Sequence, residues 1–397
     1  MTLHSTTVAD IAAPNSRSIA IGPFGSALRA ELYTAHGVPV VRGQDITDLA
    51  EVELSDPVYV SPATAAKFPA CLLNEGDLVF PHRGAIGRVG LIRDTPMLLS
   101  SSMMKLTCDR SKVDPLFMLH YFRGPGKREL LMRASTVGTP GIGQPLTSLR
   151  GIPLDLPPLP EQRAIAEVLG ALDDKIAANR RVADQSRKLA ALMVSAVEPR
   201  VPLADLADVK RSTVNPTAFG NAPVLHFSLP ACDVGVPERV ADPSEIKSAK
   251  FELVDPCVLV SKLNPRIPRI WDVTALTDMR CFASTEFVVL HPTDGTTSVL
   301  SAALDDPRFS VALRGKVAGT SGSHQRVKPA ELMATEVADV RTLPTETAES
   351  IGRLGELRAS IVGENETLAA TRDGLLPLLM SGKLRVKDAE KQVGEVV

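Results

Sequence analysis

The five cysteines of this 397-residue chain, Cys71, Cys108, Cys232, Cys257 and Cys281, are odd in number and never spaced as CxxC. That pattern speaks against a disulfide framework and a compact zinc site, and it predicts buried thiols. No apolar run approaches the ~18–20 residues of a membrane span. The opening MTLHSTTVAD also lacks the charged-then-apolar order of a signal peptide, so a cytoplasmic location without membrane attachment is expected. An excess of either charge is missing too, because the net charge of −2 is spread evenly over both halves. Proteins that hold nucleic acid by charge alone carry a basic excess. Any DNA contact here must therefore be local, or shared with a partner that supplies the phosphate clamp.

Catalytic signatures are absent as well. There is no GxxxxGKS/T phosphate loop, which excludes a translocating motor, and no HExxH or HxE spacing among the seven histidines. A base-flipping methyltransferase needs a Gly-rich cofactor turn and an Asn/Asp-Pro-Pro-aromatic loop. Asn264-Pro265-Arg266 is not that loop, and Pro23-Phe24-Gly25-Ser26 has no strand-turn-helix context around it. Asp242, Glu245 and Lys247 lack the preceding acid of a nuclease and read as a solvated loop. The chain is expected to be no enzyme, with no metal or cofactor of its own.

What the chain does contain, it contains twice. Leu169, Leu172 and Ile176 recur 185 positions later as Leu354, Leu357 and Ile361. Thr7-Val8-Ala9-Asp10-Ile11-Ala12 returns as Pro202-Leu203-Ala204-Asp205-Leu206-Ala207, and Gly138-Thr139 with Gln144 returns as Gly319-Thr320 with Gln325. A period this long is a duplicated domain plus spacer rather than a solenoid, whose units repeat every ~20–50 residues.

Short apolar runs punctuated by Gly and Pro predict strands and turns over residues 1–157 and again over 199–342, with one helix near 115–132. Each such region is closed by a helical segment, over 158–198 and 343–385, and a polar tail over 386–397 reads as frayed. In the first helix Ile165, Leu169, Leu172, Ile176, Ala183, Ala190, Met193 and Val197 follow steps of three and four, and in the second Ile351, Leu354, Ile361, Leu368, Leu375 and Leu379 do the same. That is a coiled-coil seam, with Asn179 and Asn365 on seam positions where a polar residue fixes register or lies at a wet edge. A ~36-residue helix is ~54 Å long and cannot bury its stripe in a small domain, so the two helices are expected to pair. Pro377 is expected to kink the second helix and Gly382 to stop it. The predicted class is α/β (α+β), with two similar globular domains, an antiparallel helical pair and pseudo-two-fold symmetry.

Several motifs resemble the specificity subunits of Type I restriction-modification systems. They are Pro158-Leu159-Pro160-Glu161-Gln162 at the start of the first long helix, Gly22-Pro23-Phe24-Gly25-Ser26, Gly37-Val38-Pro39-Val40-Val41-Arg42-Gly43-Gln44, Glu75-Gly76-Asp77-Leu78-Val79, Arg83-Gly84-Ala85-Ile86-Gly87 and Leu379-Met380-Ser381-Gly382-Lys383-Leu384. The second half departs from the pattern. It reads Leu343-Pro344-Thr345-Glu346 at its helix, and Lys262 to Arg269 lacks the glycines of its counterpart. The resemblance implies two target recognition domains, each reading half of a bipartite site in double-stranded DNA, with the helices setting the unread spacer. It further implies docking of two methyltransferase subunits, which would bring S-adenosylmethionine, and of restriction motor subunits where these exist.

Base reading needs Arg, Lys, Asn, Gln and Ser on loops that can enter a groove. The candidates are Ser26, Arg29, Arg42, Gln44, Arg83, Arg88 and Gln144 in the first domain. In the second they are Lys210, Arg211, Lys262, Asn264, Arg266, Arg269, Ser321, His324 and Gln325. The rival reading is a protein-protein scaffold with duplicated domains and no DNA, which the neutral charge favours.

Overall fold

The computed structural model describes residues 3–24, 27–47, 50, 52–135, 140–316, 325–394 and 396. The fold is mixed α/β, and its contacts divide it into two units, residues 1–176 with 367–397, and residues 177–366. Both long helices, Leu159–Ser195 and Thr345–Met380, run from one unit into the other.

In the first unit His4–Thr7 pairs antiparallel with Pro153–Leu156 and clasps the two ends of the globular part together. A four-stranded antiparallel sheet runs Ile19–Ile21, Met103–Leu106, Leu78–Pro81, Gly90–Leu91. Its strands are buried on both faces, as their near-continuous apolar sequences require. Leu78, Phe80, Met104 and Leu106 face one core with Phe117 and Phe122, whereas Val79 and Met103 face a second core beneath the other sheet. That second sheet has five strands in the order Tyr33–Thr34, Tyr59–Val60, Val38–Val41, Met97–Leu99, Leu72–Leu73, with a parallel pair at Val38–Val41 and Met97–Leu99. Asp77 of the Glu75-Gly76-Asp77 motif is fully buried between the sheets, where it accepts from Lys105 Nζ at 3.0 Å and Thr107 Oγ1 at 2.5 Å.

The second unit repeats this order. Arg200–Pro202 clasps Glu336–Ala338, and the four-stranded sheet runs Ala207–Val209, Phe287–Pro292, Cys257–Ser261, Ile270–Val273. The five-stranded sheet again centres on one parallel pair, Val224–Phe227 with Cys281–Ser284. The repeated sequence at Thr7 and Pro202 is one structure twice. Val8 and Leu203 are fully buried after the clasp strand, and the Ile11 and Leu206 carbonyls accept from Asp109 and Thr293. In this sheet the edge strand differs: Tyr33–Thr34 joins Tyr59–Val60 in the first unit, while Thr213–Val214 joins Lys250–Leu253 in the second.

The single helix expected near 115–132 is two, Pro115–Arg123 and Pro125–Met132. Gly124 sits between them at φ −112°, ψ −108°, where Pro125 can begin a new helix but could not continue the old one. The frayed tail is likewise corrected. Val386–Gly394 is a helix that buries Ala389 and Val393 on the first unit's core, a stripe four residues apart that polarity alone concealed.

Within the first unit Ile165, Leu169, Leu172 and Ile176 are buried with Leu368, Leu375 and Leu379. Gln162 anchors the helix start, accepting from the Asp114 backbone at 3.0 Å and donating to the Pro157 carbonyl at 2.8 Å. Within the second unit Asn179 Nδ2 donates to Asn365 Oδ1 at 3.0 Å and Glu364 Oε2 at 2.9 Å, and Ala190 and Val194 pack with Ile351. Both pairings are antiparallel. Beyond Asn179 the buried line follows Ser186, Ala190 and Val194, with Ala183, Met193 and Val197 half-buried. Leu354 is half-buried and Leu357, the echo of buried Leu172, is 43% exposed. Pro377 lies inside the second helix, and Gly382 stops it at φ 67°. Four of the five thiols are buried, and burial pushes Cys108 and Cys257 up to about 12. Among the described residues no helix is long and apolar enough to cross a membrane, and no group of three or more His, Cys, Asp or Glu could hold a metal.

Candidate nucleic-acid interface

The third strand of each four-stranded sheet ends in a turn that the chain closes in the same way twice. In the first unit the backbone N–H of His82 donates to Ser102, Ile142 donates back to the His82 carbonyl, and Gly84 donates to Pro140 at 3.0 Å. In the second unit Lys262 donates to Glu286, Val327 donates to the Lys262 carbonyl, and Asn264 donates to Gln325 at 2.8 Å. The bridges Arg83 to Gly141 and Leu263 to Arg326 occupy the same place. Gly84 has φ 78° and Asn264 has φ 51°, so the glycine that Lys262–Arg269 lacked is replaced by the residue type that best tolerates left-handed backbone.

These matches also correct the register of one sequence echo. Gln325 stands opposite Asn264 as Pro140 stands opposite Gly84, whereas Gln144 precedes Pro145 at the start of a short helix as Lys328 precedes Pro329. The two glutamines are therefore not equivalent. The glycine-threonine pairs of that echo lie outside the described residues, as do the candidates Ser26, Ser321 and His324.

Around the first turn Arg83 is exposed, and the 3-10 turn Gly43–Asp45 presents exposed Gln44 close by, since a Cβ on Gly43 would lie 3.5 Å from the Pro81 side chain. Arg29 and Gln144 are also exposed, the latter at φ 47°. Around the second turn Lys262, Asn264 and Gln325 meet. Lys262 Nζ donates to the Thr285 carbonyl at 2.6 Å. Burial holds it below the usual lysine range, with Glu286 opposing and Arg211 and Arg326 adding to the effect. Arg326 grips Glu286 through two bonds of 2.9 and 3.1 Å. Arg211 and Arg326 are thus two cations close to Lys262, with the Glu286 carboxylate beside Lys262 and Arg326. Arg326 was missed in the sequence, although its place beside Gln325 pointed to it. Arg266 is exposed on the same turn, and Lys210 is exposed at a cleft of about 400 Å³ that also holds Asp255, His291 and Glu356.

Three further candidates have structural engagements. Arg42 binds Asp45 and the Asp56 carbonyl, Arg88 donates to the Ile46 carbonyl at 3.0 Å, and Arg269 pairs with Asp233 at 2.6 and 2.9 Å. These bonds to Asp233 raise the Arg269 pKa further.

Residues 25–185 match the type I restriction modification DNA specificity domain, a stretch that includes the first turn and runs into the first long helix. Those residues belong to the type I specificity-domain family. A protein of Methanocaldococcus jannaschii named as the type I restriction enzyme MjaX specificity subunit is 26% identical over 147 residues, 35% of this chain. The match covers about a third of that relative's length, 34%. The crystal structure of a type I restriction-modification system S subunit from M. genitalium shares the fold at a TM-score of 0.53 with 13% identity, covering 96% of each chain. The specificity-domain match thus falls mainly on the first unit, and the duplicated topology carries the same turn into the second.

Proposed function

We propose that this chain is the non-catalytic DNA-specificity subunit of a type I restriction-modification or methylation-only complex in the cytoplasm. It reads a bipartite site in double-stranded DNA and docks two methyltransferase subunits, which bring S-adenosylmethionine, together with restriction subunits where these exist. The observation that carries this reading is the pair of matched turns, at Arg83–Gly84 and Leu263–Asn264, one of them inside the specificity-domain match. Each turn gathers residue types that can hydrogen-bond base edges. Arg83, Gln44 and Gln144 are the readers proposed for the first half-site, and Lys262, Arg266, Gln325 and Arg326 for the second. The recognition domains are proposed as 1–157 and 199–342, with the spacer helices over 158–198 and 343–385.

The test is to express the chain with its methyltransferase and map methylated adenines in host DNA. A split motif of two fixed half-sites supports the reading. A protein-protein scaffold would leave the DNA unmodified, and its binding to random duplex would show no linear fall of log affinity with log salt.

A further inference from the structure

Each matched turn carries one arginine at its bridge, but on opposite sides. In the first unit Arg83 stands opposite Gly141, and in the second Leu263 stands opposite Arg326, so Gly141 occupies the place of Arg326. The neighbouring turn is matched as well. The His82 backbone donates to the Ser102 carbonyl and its Nε2 lies 3.1 Å from the Ser101 carbonyl, while the Lys262 backbone donates to Glu286 and its Nζ to the Thr285 carbonyl at 2.6 Å. Ser102 therefore holds the place of Glu286. Where the second unit has an arginine and a carboxylate, the first has a glycine and a serine, so the two charges occur together or not at all.

The backbone on either side of Arg326 is fixed, because Gln325 accepts from Asn264 at 2.8 Å and Val327 donates to Lys262 at 3.0 Å. Glu286 fixes the side chain: Arg326 Nε donates to Oε2 at 3.1 Å and Nη2 to Oε1 at 2.9 Å. The two side chains are 54% and 29% exposed, and an ion pair so open to water contributes little to stability. What the pair does is hold one edge of the guanidinium and turn the other, Nη1 with the second proton of Nη2, away from the carboxylate. Arg269 makes the same fork with Asp233, but only 17% of its side chain is exposed.

We propose that Glu286 is a positioning residue for base reading, presenting the outer edge of Arg326 to O6 and N7 of one guanine in the half-site read by the second unit. The inference rests on the specificity-subunit reading. Guanine offers that fork two neighbouring acceptors in the major groove, whereas adenine sets a donor beside its acceptor. A guanidinium already held loses less side-chain freedom on contact, and the carboxylate beside it opposes a phosphate at the same spot by like charge.

The chain is purified with its methyltransferase, and methyl transfer is measured on duplexes carrying the mapped motif with each base pair of both half-sites changed in turn. A guanine is expected at one position of one half-site, where Arg326→Ala lowers the preference for guanine over adenine roughly five- to 150-fold, the range of one bidentate contact. Glu286→Gln keeps the shape and removes the charge. It should lower the same preference at the same position about fivefold or more and leave the other positions unchanged. Glu286→Ser, matching Ser102 of the first unit, should do the same and decides the question if Glu286→Gln does not assemble. Added to Arg326→Ala, Glu286→Gln should change that preference no further, because Glu286 acts through Arg326. A motif without such a guanine, a preference that either residue's variants leave untouched, or equal slowing on every duplex overturns the inference while the bipartite reading stands. A further change of preference in the double variant also overturns it, since Glu286 would then meet a base directly. A wild-type assembly that methylates no bipartite motif overturns the specificity-subunit reading and this inference with it.

Discussion

His120 shows how far its surroundings can move one side chain. It is 1% exposed, neither ring nitrogen has a hydrogen-bond partner, and burial pushes its pKa down to about 4 despite Asp173, with Arg123 and Arg372 adding to the fall. The unfolded chain then binds a proton below about pH 6.5 that the folded chain refuses until about pH 4. The stability this residue contributes is whole above 6.5 and declines as pH falls through that window, by about 3 kcal/mol at 1.36 kcal/mol per unit. Urea titrations across pH 4–7 should show His120→Leu losing correspondingly less stability on acidification than the parent; equal slopes would refute this. Asn264 makes a backbone point of the same kind. At φ 51° it should accept glycine with little change, whereas Asn264→Val should cost about 1–2 kcal/mol because a β-branched residue resists left-handed backbone. Thermal melts of the two variants check the order.

Among elements, the helices are held to each unit by charge as well as by apolar seams. Asp173 pairs with Arg123 and with Arg372, which is 7% exposed, so Asp173→Ala would leave Arg123 without its carboxylate and Arg372 with Asp373 alone. A loss of about 3 kcal/mol in a urea titration is expected, and Asp173→Ala/Arg372→Met should recover part of it. The second unit attaches its helix differently. Arg358 Nη2 and Ser298 Oγ both donate to Asp272 Oδ2, at 2.7 and 2.6 Å, and a Cβ on Gly355 would fall 1.8 Å from Ser298 Oγ. Gly355 therefore sets the approach of helix to helix there. Three-four periodicity revealed both long helices, because a long apolar stripe repeats regularly along each. It did not reveal the break at Gly124 or the tail helix, whose short apolar stripes gain meaning only against the core they meet.

For the whole molecule, the prediction concerns modularity. Each unit closes its own clasp, sheets and cores, so exchanging residues 200–342 for those of a relative should change one half of the methylated motif and leave the other intact. Simultaneous change of both halves, read by methylome sequencing, would defeat the modular reading. The sequence by itself determined the duplication, the α/β class, the two helices and the absence of catalytic motifs, because these are patterns of residue type and spacing along the chain. Only the tertiary structure decided which polar residues meet. Arg42 and Arg269 look like readers in the sequence but are half-buried and held by Asp45 and Asp233, while Arg326, paired with Glu286 yet exposed, gains its place from a bridge to Leu263 across more than sixty intervening residues. Hydrogen bonds and ion pairs form between groups brought together by packing, and a linear pattern does not record that proximity.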